Sequence, residues 1–241
     1  MTSSSAFCIR GFNLCETLLR HSPEQLRRFI RRMKTLNLNM LIVHYDYGWK
    51  RYAPIIIEEC EKTGIGITLM VFGPRSFLKL AGASASLFAK SETGNPFTSQ
   101  AECETQPCAG NPESIAAFRR GAELFLADLP PQIRRVHMRA GDGPMYCRCP
   151  HCAQMKSDAE RFLPFAAVFA EVVQKIRPDL EFETDIYCPR QALPDNYSVL
   201  QDYTFLMYDT FAADQLRPLS WKGPASEMDD FNLRHSLHET P

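Results

Sequence analysis

Short apolar runs alternate with amphipathic stretches along most of this chain, and that alternation predicts its architecture. Ala6 to Leu14 (AFCIRGFNL) reads as a first strand. Ser22, Pro23 and Glu24 form a helix start before EQLRRFIRRMKTL, where Leu26, Phe29, Ile30 and Met33 recur at helical spacing. Asn39 to Tyr47 (NMLIVHYDY) reads as the second strand, turning polar and aromatic at its C-terminal end. The next helix is APIIIEECEKTG, with proline near its start and Gly64 as its stop, and Gly66 to Gly73 follows as strand three. From Pro74 to Gly110 the pattern breaks into Ser, Thr, Gly and Pro, a long irregular loop (74–110) of the kind that is functional or disordered in compact domains.

Regularity resumes at Asn111, an N-cap with Pro112 at the first helical position and Ile115, Phe118, Ala122, Phe125 and Leu126 on one face. RRVHMRAGDG reads as strand four, DAERFLPFAAVFAEVVQKI as a helix, EFETDIY as strand five, and Tyr203 to Phe211 as strand six. Six strand-then-helix units in series predict a parallel sheet with helices outside it. Two closures compete, an open doubly wound sheet and a TIM-type barrel. No G-x-G-x-x-G follows the first strand and no G-x-x-x-x-G-K-[ST] occurs, so nucleotide-binding forms lack support and no organic cofactor is expected.

The residues at the strand ends favour the barrel. Strand two ends in His44, Tyr45, Asp46 and Trp49, strand three in Arg75, strand four in Asp142, strand five in Asp185 and Tyr187, and strand six in Tyr208 and Asp209. A barrel gathers the C-terminal ends of its strands into one site. The expected fold is therefore α/β, a TIM (β/α)8-type barrel in one domain over residues 1–241. Such a barrel needs about eight strands and ~250 residues, and no strand-like run follows Phe211. The expected barrel is incomplete, with about six β/α units and a truncation on its C-terminal side.

Composition narrows the chemistry. Over 241 residues the chain is 45% hydrophobic and 23% charged, which is ordinary for a globular protein. A formal net charge of -1 supplies no basic field for a phosphate backbone, so nucleic acid is not an expected partner. The start, MTSSSAFCIRGF, lacks the apolar core of a signal peptide, and runs such as Met40 to Val43 fall far short of the ~20 residues of a membrane span. A cytoplasmic protein without a membrane partner is expected. Nine cysteines is an odd number, and Cys8, Cys15, Cys60, Cys103 and Cys188 stand in unrelated contexts, which fits free thiols in a reducing compartment plus one metal cluster.

That cluster is GDGPMYCRCPHC. Its C-x-C-x-x-C (Cys147, Cys149, Cys152) offers three soft ligands within six residues, a spacing zinc tolerates. Cys108 and Cys103 in the preceding long loop are candidates for the fourth ligand, and His151 is nearer in sequence. A closed site of four ligands is structural, whereas catalytic zinc keeps an open position. The competing readings are unligated thiols and a thioredoxin-like Cys149–Cys152 redox pair, which would normally open a helix after the first strand of a small fold.

Carboxylates and aromatics around one pocket suit glycoside hydrolysis, with one acid protonating the leaving oxygen, a second carboxylate opposite, and rings on which sugars stack. The acids are Asp142, Asp46, Asp185 and Asp209, and the platforms Trp49, Tyr45, Tyr187 and Tyr208. For any one of these aspartates the plainer role is a helix cap or an ion pair. Asp142 stands out because flanking glycines leave its carboxylate unobstructed. His44 is a substrate-binding candidate that, like His137, also reads as a wall residue inside a strand run. Arg75 could clamp a carboxylate such as a uronic acid, or be a surface charge, and RRFIRRMK reads as a solvated helix face.

PCAGNPES, a helix, VHMRAGDGPMYCRCPHC and RFLPFAAVFAEVVQKIRPDLEFETDIY together resemble an uncharacterised bacterial barrel family related to the alpha-glucuronidases and the family-20 beta-hexosaminidases. The resemblance covers roughly residues 39–211 and is most specific at the cysteines. It implies a TIM barrel and a carbohydrate substrate, makes Cys108 the partner of the other three cysteines, and places Asp142 where the hexosaminidases carry their acid. Those enzymes have a second carboxylate beside it, whereas this chain has Gly143, so the second role falls to Asp185, to Asp209 or to a part not present in this chain. The expected function is that of a glycoside-hydrolase-like protein with a structural zinc. The alternative is a non-catalytic carbohydrate-binding barrel whose cysteines organise a loop.

Overall fold

Strand order decides between the two closures. The structure, a computed structural model, describes residues 8–14, 19–95, 106–140, 146–186 and 204–208, with Ile186 and the last strand described by their backbone. Its strands are β1 (Gly11–Leu14), β2 (Met40–His44), β3 (Gly66–Phe72), β4 (Arg135–Arg139), β5 (Glu181–Ile186) and β6 (Thr204–Tyr208). They form one sheet in chain order, and every neighbouring pair is parallel. A doubly wound sheet reverses its order partway; here each crossover advances one strand in the same direction, as in a barrel wall. Among the described residues the fold is α/β, with six parallel strands forming a wall of the (β/α)8 type.

The helices are α1 (Pro23–Thr35), α2 (Trp49–Thr63), α3 (Gly73–Leu80), α4 (Pro112–Ala127) and α5 (Asp158–Ile176). α1 starts with a capping box, in which Ser22 Oγ accepts from the Gln25 N–H and Gln25 Oε1 accepts from the Ser22 N–H. Asn111 caps α4 by accepting from the Glu113 N–H, and Ser157 caps α5 by accepting from the Glu160 N–H.

Alternate strand residues point to the helices. Register aligns Leu41 with Ile67, Leu69 with Val136, and Val136 with Phe182, all buried. On this side lies a run of rings, in which Phe182 meets Phe169 at 4.9 Å, Phe169 meets Phe77 at 5.1 Å, and Phe77 meets Phe118 at 5.3 Å. Each such pair adds about 1 kcal/mol beyond the apolar area it buries. No helix among the described residues is long and apolar enough to cross a membrane.

Two elements differ from the sequence pattern. α2 begins at Trp49, four residues before Ala53, because Gly48 takes a φ of 92° and turns the chain into a helix directly after β2. Pro54 thus lies inside the helix, and Trp49, 4% exposed, packs in the core and not as a platform on the rim. Second, α3 fills the start of the stretch read as irregular. Its anchor is remote in sequence: Asp46 accepts from the Phe72 N–H at 2.8 Å and from the Ser76 hydroxyl at 2.6 Å.

α3 and α4 approach closely where Gly121 faces the backbone carbonyl of Phe77, and a Cβ at Gly121 would overlap that oxygen. Gly121→Ala is therefore expected to destabilise the fold by about 2 kcal/mol, read as a lowered urea midpoint. An unchanged midpoint would contradict this packing.

Candidate functional site

The other strand parity faces inward, away from the helices; β2 and β3 place Ile42, Met70 and Phe72 on it, and β4 and β5 make it charged. β4 contributes Arg135, His137 and Arg139, and β5 contributes Glu181, Glu183 and Asp185. They interlock. Arg135 pairs with Glu181 and, at 3.2 Å, with Glu183; His137 lies between Glu183 at 3.6 Å and Asp185 at 3.3 Å; Arg139 Nε is 3.5 Å from Asp185 Oδ2. The ladder climbs toward the C-terminal ends of the strands, where barrels carry their sites. At its top Asp185 is 2% exposed.

Across the sheet, His44 ends β2 on the same inward parity, one step from His137 through Met70 in the register. Its ring stacks on Tyr47 at 5.5 Å and meets Phe72 at 5.3 Å, and its Nε2 is 3.0 Å from Asn13 Oδ1. The two histidines are driven apart. Burial, together with the charges of Arg139 and His137, pushes His44 down to about 4. Burial also acts downward on His137, but Asp185 and Glu183 outweigh it and raise His137 above its ordinary value.

Of the residues singled out in the sequence, His44 and Asp185 belong to this inner face. Asp46 is engaged with the start of α3, and Tyr45 packs edge-on against Phe125 at 5.1 Å. Arg75 lies half-buried in α3, its Nε without a hydrogen-bond partner among the described residues. Tyr208 ends β6 in register with Ile186, and its side chain lies outside the described part. Asp142, Tyr187 and Asp209 lie outside the described residues, as does Cys103. Sequence reasoning passed over Arg135, Arg139 and Glu183 and read His137 as wall. Their signal is the period-two charge in RVHMR and EFETD, one face charged and the other uncharged.

The cysteines form a second centre. The sulfurs of Cys108, Cys147, Cys149 and Cys152 all lie within 4.8 Å of one another. Cys108 is 3.4 Å from Cys147 and 3.8 Å from both Cys149 and Cys152. Backbone N–H groups point in as well, from Lys90 to Cys147 at 3.4 Å and from Gly110 to Cys152 at 3.2 Å. Mutual hydrogen bonds split the thiols, holding Cys147 below the usual thiol range and pushing Cys108 up to about 12. Four sulfurs so placed can hold a metal ion.

The surroundings hold the cluster rigid. Arg148 N–H donates to the Lys90 carbonyl, which ties the segment after β4 to the one before it, and Phe88 bridges Pro107 within the earlier segment. Buried Arg161 of α5 donates to the Cys152 carbonyl at 2.9 Å, the Met155 carbonyl at 2.8 Å and Asp158 at 2.9 Å. His151 is exposed and packs beside Gly110, outside the sulfur group.

No family model matches the sequence, and no curated protein matches it. Among solved structures, the chain is similar to the family GH20 beta-N-acetylhexosaminidase of Streptomyces coelicolor, with a TM-score of 0.54 and 12% identity over 98% of this chain and 47% of that one. A glycoside hydrolase family 20 beta-N-acetylglucosaminidase aligns with a TM-score of 0.53 and 12% identity, over 92% of this chain and 55% of that one. A GH36 alpha-galactosidase of Geobacillus stearothermophilus aligns at a TM-score of 0.48 and 13% identity, covering 74% of this chain and 28% of that one. The chain thus spans about a quarter to a half of the length of these structures, and at such identity the likeness is one of fold.

The opposed histidines predict a shaped stability profile. Between pH 6.5 and about 4 the unfolded chain binds the proton that folded His44 refuses, so stability falls as pH drops through that window, by up to about 3 kcal/mol. His137 acts oppositely: its contribution is full below pH 6.5 and fades as pH rises through its elevated folded value. Urea titrations across pH should show a flatter acid limb for His44→Phe than for the unmodified chain. Parallel limbs would contradict a buried neutral His44.

Proposed function

We propose that this chain is a glycoside-hydrolase-like barrel that cleaves a carbohydrate at the C-terminal ends of its strands. The observation that carries the reading is Asp185, a carboxylate 2% exposed on the inner face near the end of β5, with His137 and Arg139 against one oxygen. A buried carboxylate oriented by cations at a barrel mouth suits the electrostatic half of glycoside hydrolysis. Asp142, three residues beyond the end of β4, is the proposed general acid. In the reaction the glycosidic C–O bond breaks, the leaving oxygen takes the acid's proton, water supplies the hydroxyl that ends on the sugar carbon, and the water's remaining proton passes to a carboxylate of the site, restoring the acid for the next turnover. Asp185 or Asp209 faces the positive charge that develops on the sugar ring. Likeness of fold to glycoside hydrolases supports the substrate class, and the chain has no nucleic-acid or membrane role in this reading.

The cysteines hold a structural zinc ion in the same reading. Zinc–sulfur bonds of about 2.3 Å in a tetrahedron set sulfurs about 3.8 Å apart, and the contacts of Cys108 are 3.4, 3.8 and 3.8 Å. All four positions are taken by sulfur, which leaves no open site for catalysis. A reducing, cytoplasmic setting favours thiolate ligation over disulfides. The clip then fixes the loop after β4, and with it the approach to Asp142.

Two experiments test these assignments. Release from a panel of aryl glycosides should occur with the unmodified chain and fall by on the order of a hundredfold or more in Asp142→Asn. Full activity in that variant removes the acid, and no turnover on any member removes the hydrolase. Elemental analysis of protein purified without chelator should give one zinc per chain, lost in Cys147→Ser and Cys152→Ser. Metal-free unmodified protein would refute the clip.

A further inference from the structure

The four sulfurs of the cysteine cluster are not equivalent. Cys108 is 3% exposed, Cys147 1% and Cys152 0%, whereas Cys149 is half-buried and sits beside the exposed Pro150 and His151. A reagent arriving from solvent therefore meets Cys149 first. The sulfur of Cys149 lies 3.8 Å from that of Cys108, which also approaches Cys147 at 3.4 Å and Cys152 at 3.8 Å. Cys108 is the hub, and it comes from the segment before α4, while the other three follow β4.

Backbone N–H groups add a second asymmetry. Lys90 donates to Cys147 and Gly110 donates to Cys152. A thiolate that accepts an N–H has part of its charge drawn off and is a weaker nucleophile. Access and charge together single out Cys149 as the sulfur that reacts and Cys108 as the one that answers it.

We propose that Cys149 is a modification site for a small peroxide, with Cys108 as its resolving thiol, and that joining the two in a disulfide opens the zinc clip. This rests on the reading that the cluster holds zinc, which keeps its ligands as thiolates. The Cys149 thiolate attacks one oxygen of hydrogen peroxide. An S–O bond forms, the O–O bond breaks, and the departing hydroxide takes up a proton as water, leaving a sulfenic acid. Cys108 then attacks that sulfur: the S–S bond forms, the S–O bond breaks, and a second hydroxide leaves, protonated, as water. The two thiolates give up two electrons, and the peroxide accepts both. The sulfurs close from 3.8 Å to a bond of about 2 Å. Cys147 and Cys152 alone do not complete a tetrahedral zinc site, so the ion leaves. A thiol reductant reverses the disulfide and lets zinc return.

The test uses the full chain, purified under reductant without chelator and then freed of reductant. Hydrogen peroxide is added while a chromogenic chelator reads zinc against a peroxide-free control, and peptide mass spectrometry maps the disulfides. About one zinc per chain should be released, with Cys108 joined to Cys149, and dithiothreitol with added zinc should restore both thiols and metal. Cys149→His keeps four ligands, three cysteines and a histidine being an ordinary zinc set. It should lose zinc to the same peroxide about tenfold more slowly or less. Zinc retained by the unmodified chain, a first disulfide that omits Cys149, or equally fast loss from Cys149→His overturns the proposal. The mapping needs no variant and decides even if the variant fails to fold. Zinc content before peroxide tests the clip separately: in a metal-free chain the clip falls, and pairing of Cys108 with Cys149 keeps the modification site while any other pairing removes it.

Discussion

The alternation of side chains along parallel strands that advance in one direction is the constraint on which the rest of the structure depends. All helices pack against one parity, so that parity must be apolar, and Leu41, Leu69, Val136 and Phe182 satisfy it. The opposite parity is released from that demand and faces the barrel interior. Charges placed there, the half-exposed Glu181 apart, are largely withdrawn from water and have to compensate one another. β4 and β5 meet this condition by facing Arg135, His137 and Arg139 with Glu181, Glu183 and Asp185, three potential cations against three carboxylates. Local neutrality makes the polar floor tolerable, and it leaves both acceptor and donor atoms, Asp185 Oδ1 and His137 Nε2 among them, without a hydrogen-bond partner among the described residues.

Above this floor the loops are held by side chains from elsewhere in the chain. Asp46, after β2, secures the start of α3 after β3. The cysteine cluster joins the excursion between β3 and β4 to the loop after β4, and Arg161 ties that loop to α5. The rim is thus fixed by long-range polar contacts and sulfur, while the wall is fixed by apolar packing. A site assembled from loops gains the precision catalysis needs when its loops are held from several directions.

This division explains what was legible in the sequence. Elements whose signal is local could be read directly: α1 from Ser22 and Pro23, α4 from Asn111 and Pro112, and α5 over its full length. The fourth sulfur, Cys108, came with the family resemblance, and the structure brings it beside the other three. Features set by distant partners could not be read. α3 is short, and its anchor is Asp46, 26 residues before the Phe72 N–H it accepts. Trp49 looked like a platform because the start of α2 depends on the left-handed turn at Gly48, which no periodicity announces. The inner ladder was visible as alternating charge in β4 and β5, but its meaning required the register that places His137 beside Glu183 and Arg139 beside Asp185.

The central claim is that the barrel interior holds two histidines in opposite states, one neutral and accepting, one drawn toward its cationic form by carboxylates. Nitrogen-15 NMR of the imidazole rings through a pH titration reads both directly. His44 should stay neutral, with its proton on Nε2, down to about pH 4, while His137 should keep its second proton to a pH above the ordinary 6.5. Two rings titrating together near 6.5, as free imidazoles do, would contradict it.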